Sequence, residues 1–77
     1  MATPADTFAA LVTEATALGV NGGHDEESLD IVCADGERVC LYLGEDGITA
    51  AESGDRWEWS GTIAAYLAER AATNNWT

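Results

Sequence analysis

The 77-residue sequence predicts a two-layer α+β domain, in which a four-stranded antiparallel meander carries two helices on one face, in the order α-β-β-β-β-α. Three observations support this fold class. Apolar residues recur at helical spacing near both ends of the chain, they alternate with period two across the middle, and turn sequences separate the alternating segments. A chain of this length forms one domain, residues 1–77, and buries only about 60% of the surface that its unfolded form exposes.

The first helix is predicted over residues 4–18. Thr3 is a favoured helix cap, and Pro4 suits the first helical position. An apolar stripe at helical spacing follows, formed by Phe8, Leu11, Val12, Ala15 and Leu18. Gly19 is a natural left-handed stop. Residues 20–28 are polar and do not alternate, so we interpret them as a connector.

The turn sequences fix the register of the predicted sheet. A three-residue loop at 34–36, with Gly36 in the left-handed bulge position, sets Ile31 opposite Val39. A two-residue loop would place Asp30 opposite Leu41 and mix an acid into the core face, so it is rejected. With further loops at 44–47 and 53–54, the large apolar side chains of all four strands share one face. The predicted strands are residues 28–34, 37–43, 48–52 and 56–59.

The second helix is predicted over residues 60–73, with Ser60 as its cap. Its apolar side contains Ile63, Ala64, Leu67 and Ala71, with Tyr66 flanking. The last predicted strand contributes Trp57 and Trp59 to the core. A short tail follows, and Trp76 in this tail has no assigned partner in the predicted fold.

The charge of the chain limits the partners that it can bind. Fourteen acidic residues against three arginines give a net charge of −11, which disfavours direct binding to nucleic acid or to an anionic membrane and favours a basic protein. The sequence has no basic leader, and no window approaches the roughly 18 apolar residues of a membrane span. We therefore expect a cytoplasmic protein, in the host cytoplasm if the chain is viral.

The sequence predicts no catalytic or metal-binding site. His24 precedes three acids, but consecutive residues in a loop lack the spaced ligands of a zinc or calcium site. Cys33 falls in the predicted core, where a thiol is usually inert, and Cys40 has no base assigned to it. The two cysteines also lack the spacing of a zinc or redox motif. We expect reduced thiols, no cofactor and no enzymatic activity.

The predicted hairpins gather acidic residues at two ends of the sheet. We call the larger group the first rim, which comprises Asp25, Glu26, Glu27, Glu45 and Asp46. The second rim, at the opposite end, comprises Asp35, Glu37, Glu52 and Asp55. Four strands span about 14 Å, over which duplex DNA presents about eight charges. Five acids in that length allow the first rim to imitate the phosphates of a nucleic acid, and the residues of both rims are predicted to bind the partner. The alternative interpretation is that the rims are ordinary solvated surfaces.

Glu27-Ser28-Leu29 resembles the Glu-Ser-Ile segment with which small acidic α+β phage inhibitors of uracil-DNA glycosylase enter the DNA groove of that enzyme. The resemblance covers three residues of 77. In that family a helix follows the motif, whereas this sequence continues as a strand. The resemblance illustrates the mechanism and does not assign the chain to the family.

The leading hypothesis is a small acidic inhibitor or regulator, encoded by a virus, a phage or a mobile element, that binds a basic, nucleic-acid-binding protein by nucleic-acid mimicry. The alternative is a structural or assembly subunit that associates through the sheet face without helices. We call this the uncovered face, and it comprises Asp30, Val32, Arg38, Cys40, Tyr42, Thr49, Ala51, Arg56 and Glu58. Its contact residues are predicted to be Val32, Arg38, Cys40 and Tyr42, together with Trp76, and it could also join two copies. A third hypothesis attributes the acidity to a salt-rich cytoplasm.

Overall fold

The computed structural model describes residues 3–74, which contain a five-stranded antiparallel sheet and two helices. The α+β class is therefore confirmed. In chain order the elements are α1 (Pro4–Leu18), β1 (Asn21–His24), β2 (Ser28–Val32), β3 (Arg38–Leu43), β4 (Ile48–Glu52), β5 (Asp55–Glu58) and α2 (Ile63–Asn74). The strands lie in the sheet in the same order as in the chain, so each pairs with its sequence neighbour.

The prediction of four strands is wrong by one, because part of the predicted connector forms the edge strand β1. Its residues do not alternate and only Asn21 is partly buried, so hydrophobic periodicity gives no sign of it. A bulge between Asn21 and Gly23 interrupts its pairing with β2. A Cβ atom on Gly22 would lie 2.7 Å from Cγ2 of Val32, so β1 needs glycine there to approach β2 this closely.

The predicted register of the other four strands is confirmed. Ile31 lies opposite Val39, and Ala50 lies between Leu41 and Trp57. The first of these hairpins is slightly longer than predicted, since β2 ends at Val32 and β3 begins at Arg38. The Cys33 N–H donates to the Glu37 carbonyl at 2.8 Å, and Gly36 has the expected positive φ of 89°. The turns thus place the apolar side chains on one face.

The core lies between this face and the helices. α1 begins as predicted, since the Thr3 hydroxyl accepts from the Asp6 N–H at 3.1 Å and Asp6 accepts from the Thr3 N–H at 3.2 Å. It ends at Gly19, whose φ is 74°. Of its predicted stripe, Leu18 is 46% exposed rather than buried. The buried apolar residues are Phe8, Leu11, Ala15, Leu29, Ile31, Cys33, Val39, Leu41, Ile48, Ala50, Trp59 and Ile63.

The start of α2 differs from the prediction because a residue of α1 caps it. The helix begins at Ile63, and the Thr62 hydroxyl, not Ser60, accepts from the Ala65 N–H at 3.1 Å. The Glu14 carboxylate accepts from the Ile63 N–H at 2.7 Å and from the Ala64 N–H at 3.1 Å. A negative charge at this position also complements the positive end of the helix dipole. Sequence reasoning could not find a cap that lies 49 residues away.

The buried side of α2 is also rotated relative to the prediction. Ile63 is buried and Leu67 is partly buried as expected, but Ala64 and Ala71 are exposed. Tyr66 and Arg70 take the inward positions instead. The Tyr66 ring lies 5.1 Å from the Trp59 ring, which fixes the rotation, because aromatic contact stabilises the core more than burial of two alanines.

The long-range cap gives a first testable expectation. Glu14→Gln should lower the free energy of unfolding by about 1 kcal/mol, because the variant loses the charge and one of two acceptor oxygens. Urea denaturation at neutral pH measures the change. Glu26→Gln makes the same chemical change in an exposed turn and should leave stability within about 0.5 kcal/mol. Equal effects in the two variants would contradict the role assigned to Glu14.

Candidate interaction surfaces

The five acids of the first rim lie at one end of the sheet. The β1–β2 connection carries three of them and the β3–β4 connection carries two, and the antiparallel order places both connections at the same end. A backbone hydrogen bond of 2.8 Å from the N–H of Leu43, the last residue of β3, to the Glu27 carbonyl holds the two connections side by side. Five carboxylates separated by up to 21 positions in the chain are therefore neighbours along one edge.

Asp25 shapes the first turn of this rim. Its Oδ1 atom accepts from the Glu27 N–H at 2.8 Å, the Ser28 N–H at 2.9 Å and the Ser28 hydroxyl at 2.9 Å. These bonds, that of the Glu27 N–H first among them, hold the pKa of Asp25 below its ordinary value, so the carboxylate stays ionised. The turn leaves Glu26 and Glu27 exposed to solvent. Asp25 is thus a structural residue of the rim as well as one of its charges.

Two shallow depressions border the acids. One has a volume of about 570 Å³ and is lined by Asp25, Glu26, Glu27, Ser28, Tyr42 and Leu43. The other, of about 400 Å³, is lined by Gly44, Asp46, Gly47, Ile48, Thr49 and Glu58. Both open widely to solvent, so they suit protruding side chains of a macromolecule better than an enclosed small molecule.

Glu58 belongs to the same end of the sheet, although the sequence analysis assigned it to the uncovered face alone. It is the last residue of β5 and pairs with Thr49, next to the start of β4. Together with the first rim it makes six acidic residues at this end. The predicted register already contained this placement, because it set Ile48 beside Trp59.

The second rim is different, because an arginine neutralises part of it. The Arg70 Nη2 atom lies 2.9 Å from Oδ2 of Asp35 and 2.6 Å from Oε2 of Glu52. Arg70 Nη1 also donates to the Tyr66 hydroxyl at 3.1 Å. The hydrogen bond from Arg70 is the main reason why the pKa of Glu52 lies below its ordinary value. Asp35 and Glu52 thus act within the fold, which the sequence analysis did not foresee.

The positions of the arginines increase the difference in charge between the two ends of the sheet. Arg38 begins β3 and Arg56 is the second residue of β5, so both lie in the half of the sheet nearer the second rim. Arg70 contacts the second rim itself. In the described part of the chain, the end with the first rim therefore carries six acids and no arginine. The second rim has four acids with all three arginines in its half.

The uncovered face lies where the sequence analysis placed it. Val32 and Cys40 are partly buried, and Tyr42 is 47% exposed. Arg38 Nη1 lies 2.7 Å from Oδ2 of Asp30, and the Cys40 thiol donates to the other oxygen of the same carboxylate at 3.7 Å. Trp76, which the sequence analysis added to this surface, lies outside the described residues.

His24 and Cys33 make contacts that belong to the fold. The Nδ1 atom of His24 lies 3.0 Å from the side-chain nitrogen Nδ2 of Asn21, also in β1. Cys33 is buried, and this burial raises the pKa of its thiol, so little thiolate forms at neutral pH. Among residues 3–74 no three His, Cys, Asp or Glu side chains come together as a metal site requires.

Comparison with family models, curated proteins and solved structures gives no match to this chain. Over residues 3–74, neither helix has the length and apolar character that crossing a bilayer demands. The proposed function therefore depends on the charge and shape of the surfaces described above.

Proposed function

We propose that this chain is a non-enzymatic interaction domain that binds a basic, nucleic-acid-binding protein through the first rim and so acts as an inhibitor or regulator. The observation that carries the proposal is the concentration of Asp25, Glu26, Glu27, Glu45, Asp46 and Glu58 at one end of the sheet, where residues 3–74 place no arginine. Acids spread for solubility would not need to exclude arginines from one end.

The charge density of this end supports mimicry of a nucleic acid. Five strands spaced by about 4.8 Å span about 19 Å, so six carboxylates supply about one negative charge per 3 Å. A single strand of duplex DNA carries about one charge per 3.4 Å along the helix axis. The edge therefore matches one phosphate backbone, and a groove that binds DNA through lysine and arginine offers it complementary contacts.

The second rim contributes less to such binding. Asp35 and Glu52 already share Arg70, so a basic partner would compete with an intramolecular ion pair for them. Glu37 and Asp55 are exposed but lie in the half that holds the arginines. The proposal therefore assigns binding to the first rim and gives the second rim a structural role.

Affinity capture with the immobilised chain tests the proposal. A lysate of the source cells is passed over the chain, and bound protein is eluted with duplex DNA. The purified partner should be a DNA- or RNA-binding protein, and its affinity should fall at least about tenfold between roughly 50 and 200 mM salt. A specific partner whose binding is indifferent to both DNA and salt would refute mimicry.

Paired charge removals locate the binding end. Glu26→Gln with Glu45→Gln should weaken binding to that partner about tenfold, since two exposed ion pairs contribute about 0.7 kcal/mol each. Glu37→Gln with Asp55→Asn removes the same charge from the second rim and should change affinity by less than about twofold. Titration calorimetry measures both variants. Equal losses would indicate that only total charge matters.

A further inference from the structure

The uncovered face differs from the rest of the molecule in its charge. It carries two acids and two arginines, Asp30, Glu58, Arg38 and Arg56, so its formal charge is zero in a chain of net charge −11. Elsewhere the excess of acids opposes the approach of a second copy. On this face that repulsion is smallest, and the apolar atoms of Val32, Cys40 and Tyr42 lie beside the charges.

The register arranges the face in rows that cross the strands. In one row Asp30 is next to Cys40, Cys40 is next to Ala51, and Ala51 is next to Arg56. The row begins with an acid on β2 and ends with an arginine on β5. A neighbouring row runs through Ser28, Tyr42, Thr49 and Glu58.

We propose that the uncovered face binds a second copy of this chain about a twofold axis that runs parallel to the strands, between β3 and β4. Rotation about this axis reverses the order of the strands in the second copy, so β2 faces β5 and β3 faces β4. Each row still faces the same row of the other copy. Asp30 of each copy then faces Arg56 of the other, so the interface contains this ion pair twice. Cys40 faces Ala51, and Tyr42 faces Thr49. The proposal concerns the uncovered face, which shares only Glu58 with the six acids of the proposed binding end, and it goes beyond the proposed function.

Charge complementarity favours this axis over an axis perpendicular to the strands that passes through the row of Asp30 and Arg56. That perpendicular axis would keep each strand facing itself, so Asp30 would oppose Asp30 and Arg56 would oppose Arg56. Like charges that face each other in an interface cost several kcal/mol. The sequence thus favours one mode of self-association and disfavours the other.

Arg56 has the position expected of an interface residue. Arg38 and Arg70 each lie within 3 Å of a carboxylate of their own chain. Arg56 forms no ion pair with any of residues 3–74. Tyr42, close to the proposed axis, is one of two large apolar side chains in the described part that are exposed. Asp30 of a second copy, which also contacts Arg38 of its own chain, supplies a carboxylate for Arg56, and the methyl group of Thr49 supplies an apolar contact for Tyr42.

The size of the face predicts a weak dimer. Five strands span about 19 Å, and strands of five residues are about 17 Å long. The area buried is therefore below the roughly 800 Å² per partner of a standard stable interface. We expect a dissociation constant of about 10 to 100 μM, with dimers prevailing only at high concentration.

Sedimentation velocity with charge-reversal variants tests the dimer. The unmodified chain should pass from mainly monomer to mainly dimer between about 1 μM and 1 mM. Asp30→Arg and Arg56→Asp should each weaken self-association at least about 100-fold, because each places two pairs of like charges in the interface. An equimolar mixture of the two variants should dimerise again, since every pair then has opposite signs. A monomer at 1 mM, or folded variants whose mixture stays monomeric, overturns the proposal.

A second variant covers the case in which Asp30→Arg fails to fold after losing its contact with Arg38. Tyr42→Glu changes a side chain that is 47% exposed, so the monomer should retain its circular dichroism. It should weaken the dimer at least about tenfold, because a charge replaces the central apolar contact. A dimer unaffected by Tyr42→Glu rules out this face.

Partner binding through the first rim is measured at about 1 μM, where the chain is mainly monomeric, so the two proposals fail separately.

Discussion

Leu41→Ala is expected to lower the free energy of unfolding by about 3 kcal/mol. Leu41 lies in the central strand β3 and is fully buried, so the shorter side chain removes apolar contacts and leaves a cavity that the two adjacent strands cannot fill. A domain of this length has a total stability of roughly 4 to 11 kcal/mol. The variant should therefore lose a large part of its stability, and urea denaturation followed by tryptophan fluorescence measures the loss.

Tyr42→Ala is the matched control for Leu41→Ala. The two residues are adjacent in β3 but point to opposite faces, and Tyr42 is 47% exposed. Below about 1 μM, where the proposed dimer is largely dissociated, this change should cost less than about 1 kcal/mol. A Tyr42 variant less stable than the Leu41 variant would mean that the assignment of the two sheet faces is reversed.

Arg70→Met is expected to lower the free energy of unfolding by about 2 kcal/mol at pH 7. Methionine keeps the apolar stem but removes the cation that Asp35 and Glu52 share. The Glu52 and Arg70 side chains are each only 18% exposed, so loss of this ion pair lowers the free energy of unfolding more than loss of a surface ion pair does. The two carboxylate oxygens that accept from Arg70 Nη2, at 2.9 and 2.6 Å, lie at most 5.5 Å apart and would repel each other without it.

The pH dependence of this effect separates charge from packing. The pKa of Glu52 is lowered in the folded protein, so its ion pair stabilises the fold fully above the unfolded pKa and loses that contribution as the pH falls through the folded pKa. The difference between the unmodified chain and Arg70→Met should thus be constant near neutrality and shrink below about pH 4 to 5. Arg56→Met is the control, because Arg56 forms no ion pair with residues 3–74. A difference that persists unchanged at pH 3 would assign the effect to packing.

The arrangement of β2 to β5 could be predicted from the sequence because local chemistry determines it. Loops of three, four and two residues fix which residues face each other, and a shift of one residue would have placed acids in the core. The observed pairs Leu29 with Leu41 and Leu43 with Ile48 follow from those loops. The turn types and the alternation of apolar residues predict the same register for each pair of strands, which is why this part of the fold could be predicted.

The elements that were missed depend on contacts between distant parts of the chain. β1 lacks apolar residues, and its Gly22 signals close approach to Val32 only when β2 is already in place. The cap of α2 comes from Glu14 and its rotation comes from Tyr66 against the tryptophans. Neither contact has a local sequence pattern.

The candidate site could be predicted in part. Acids in turns were visible, and the meander placed them at two ends of the sheet. The difference in charge between the two ends could not be predicted, because it depends on where the arginine side chains lie in the fold. The sequence analysis assigned no contact to Arg70 in the predicted second helix. In the structure its side chain reaches Asp35, in the turn between β2 and β3. The i, i+4 spacing of Tyr66 and Arg70 indicates that the two side chains share a face of the helix, but it does not indicate that this face is the inward one.

The shape of β1 has a consequence for the behaviour of the protein in concentrated solution. An edge strand exposes unpaired backbone groups and can serve as a template for fibre growth. Here that edge has only four residues, two of them glycine, and the bulge breaks its regular repeat. The opposite edge, β5, is equally short and carries the charges of Asp55, Arg56 and Glu58. Neither edge suits the stacking of strands into amyloid, so the chain should remain dispersed at concentrations where flatter sheets precipitate.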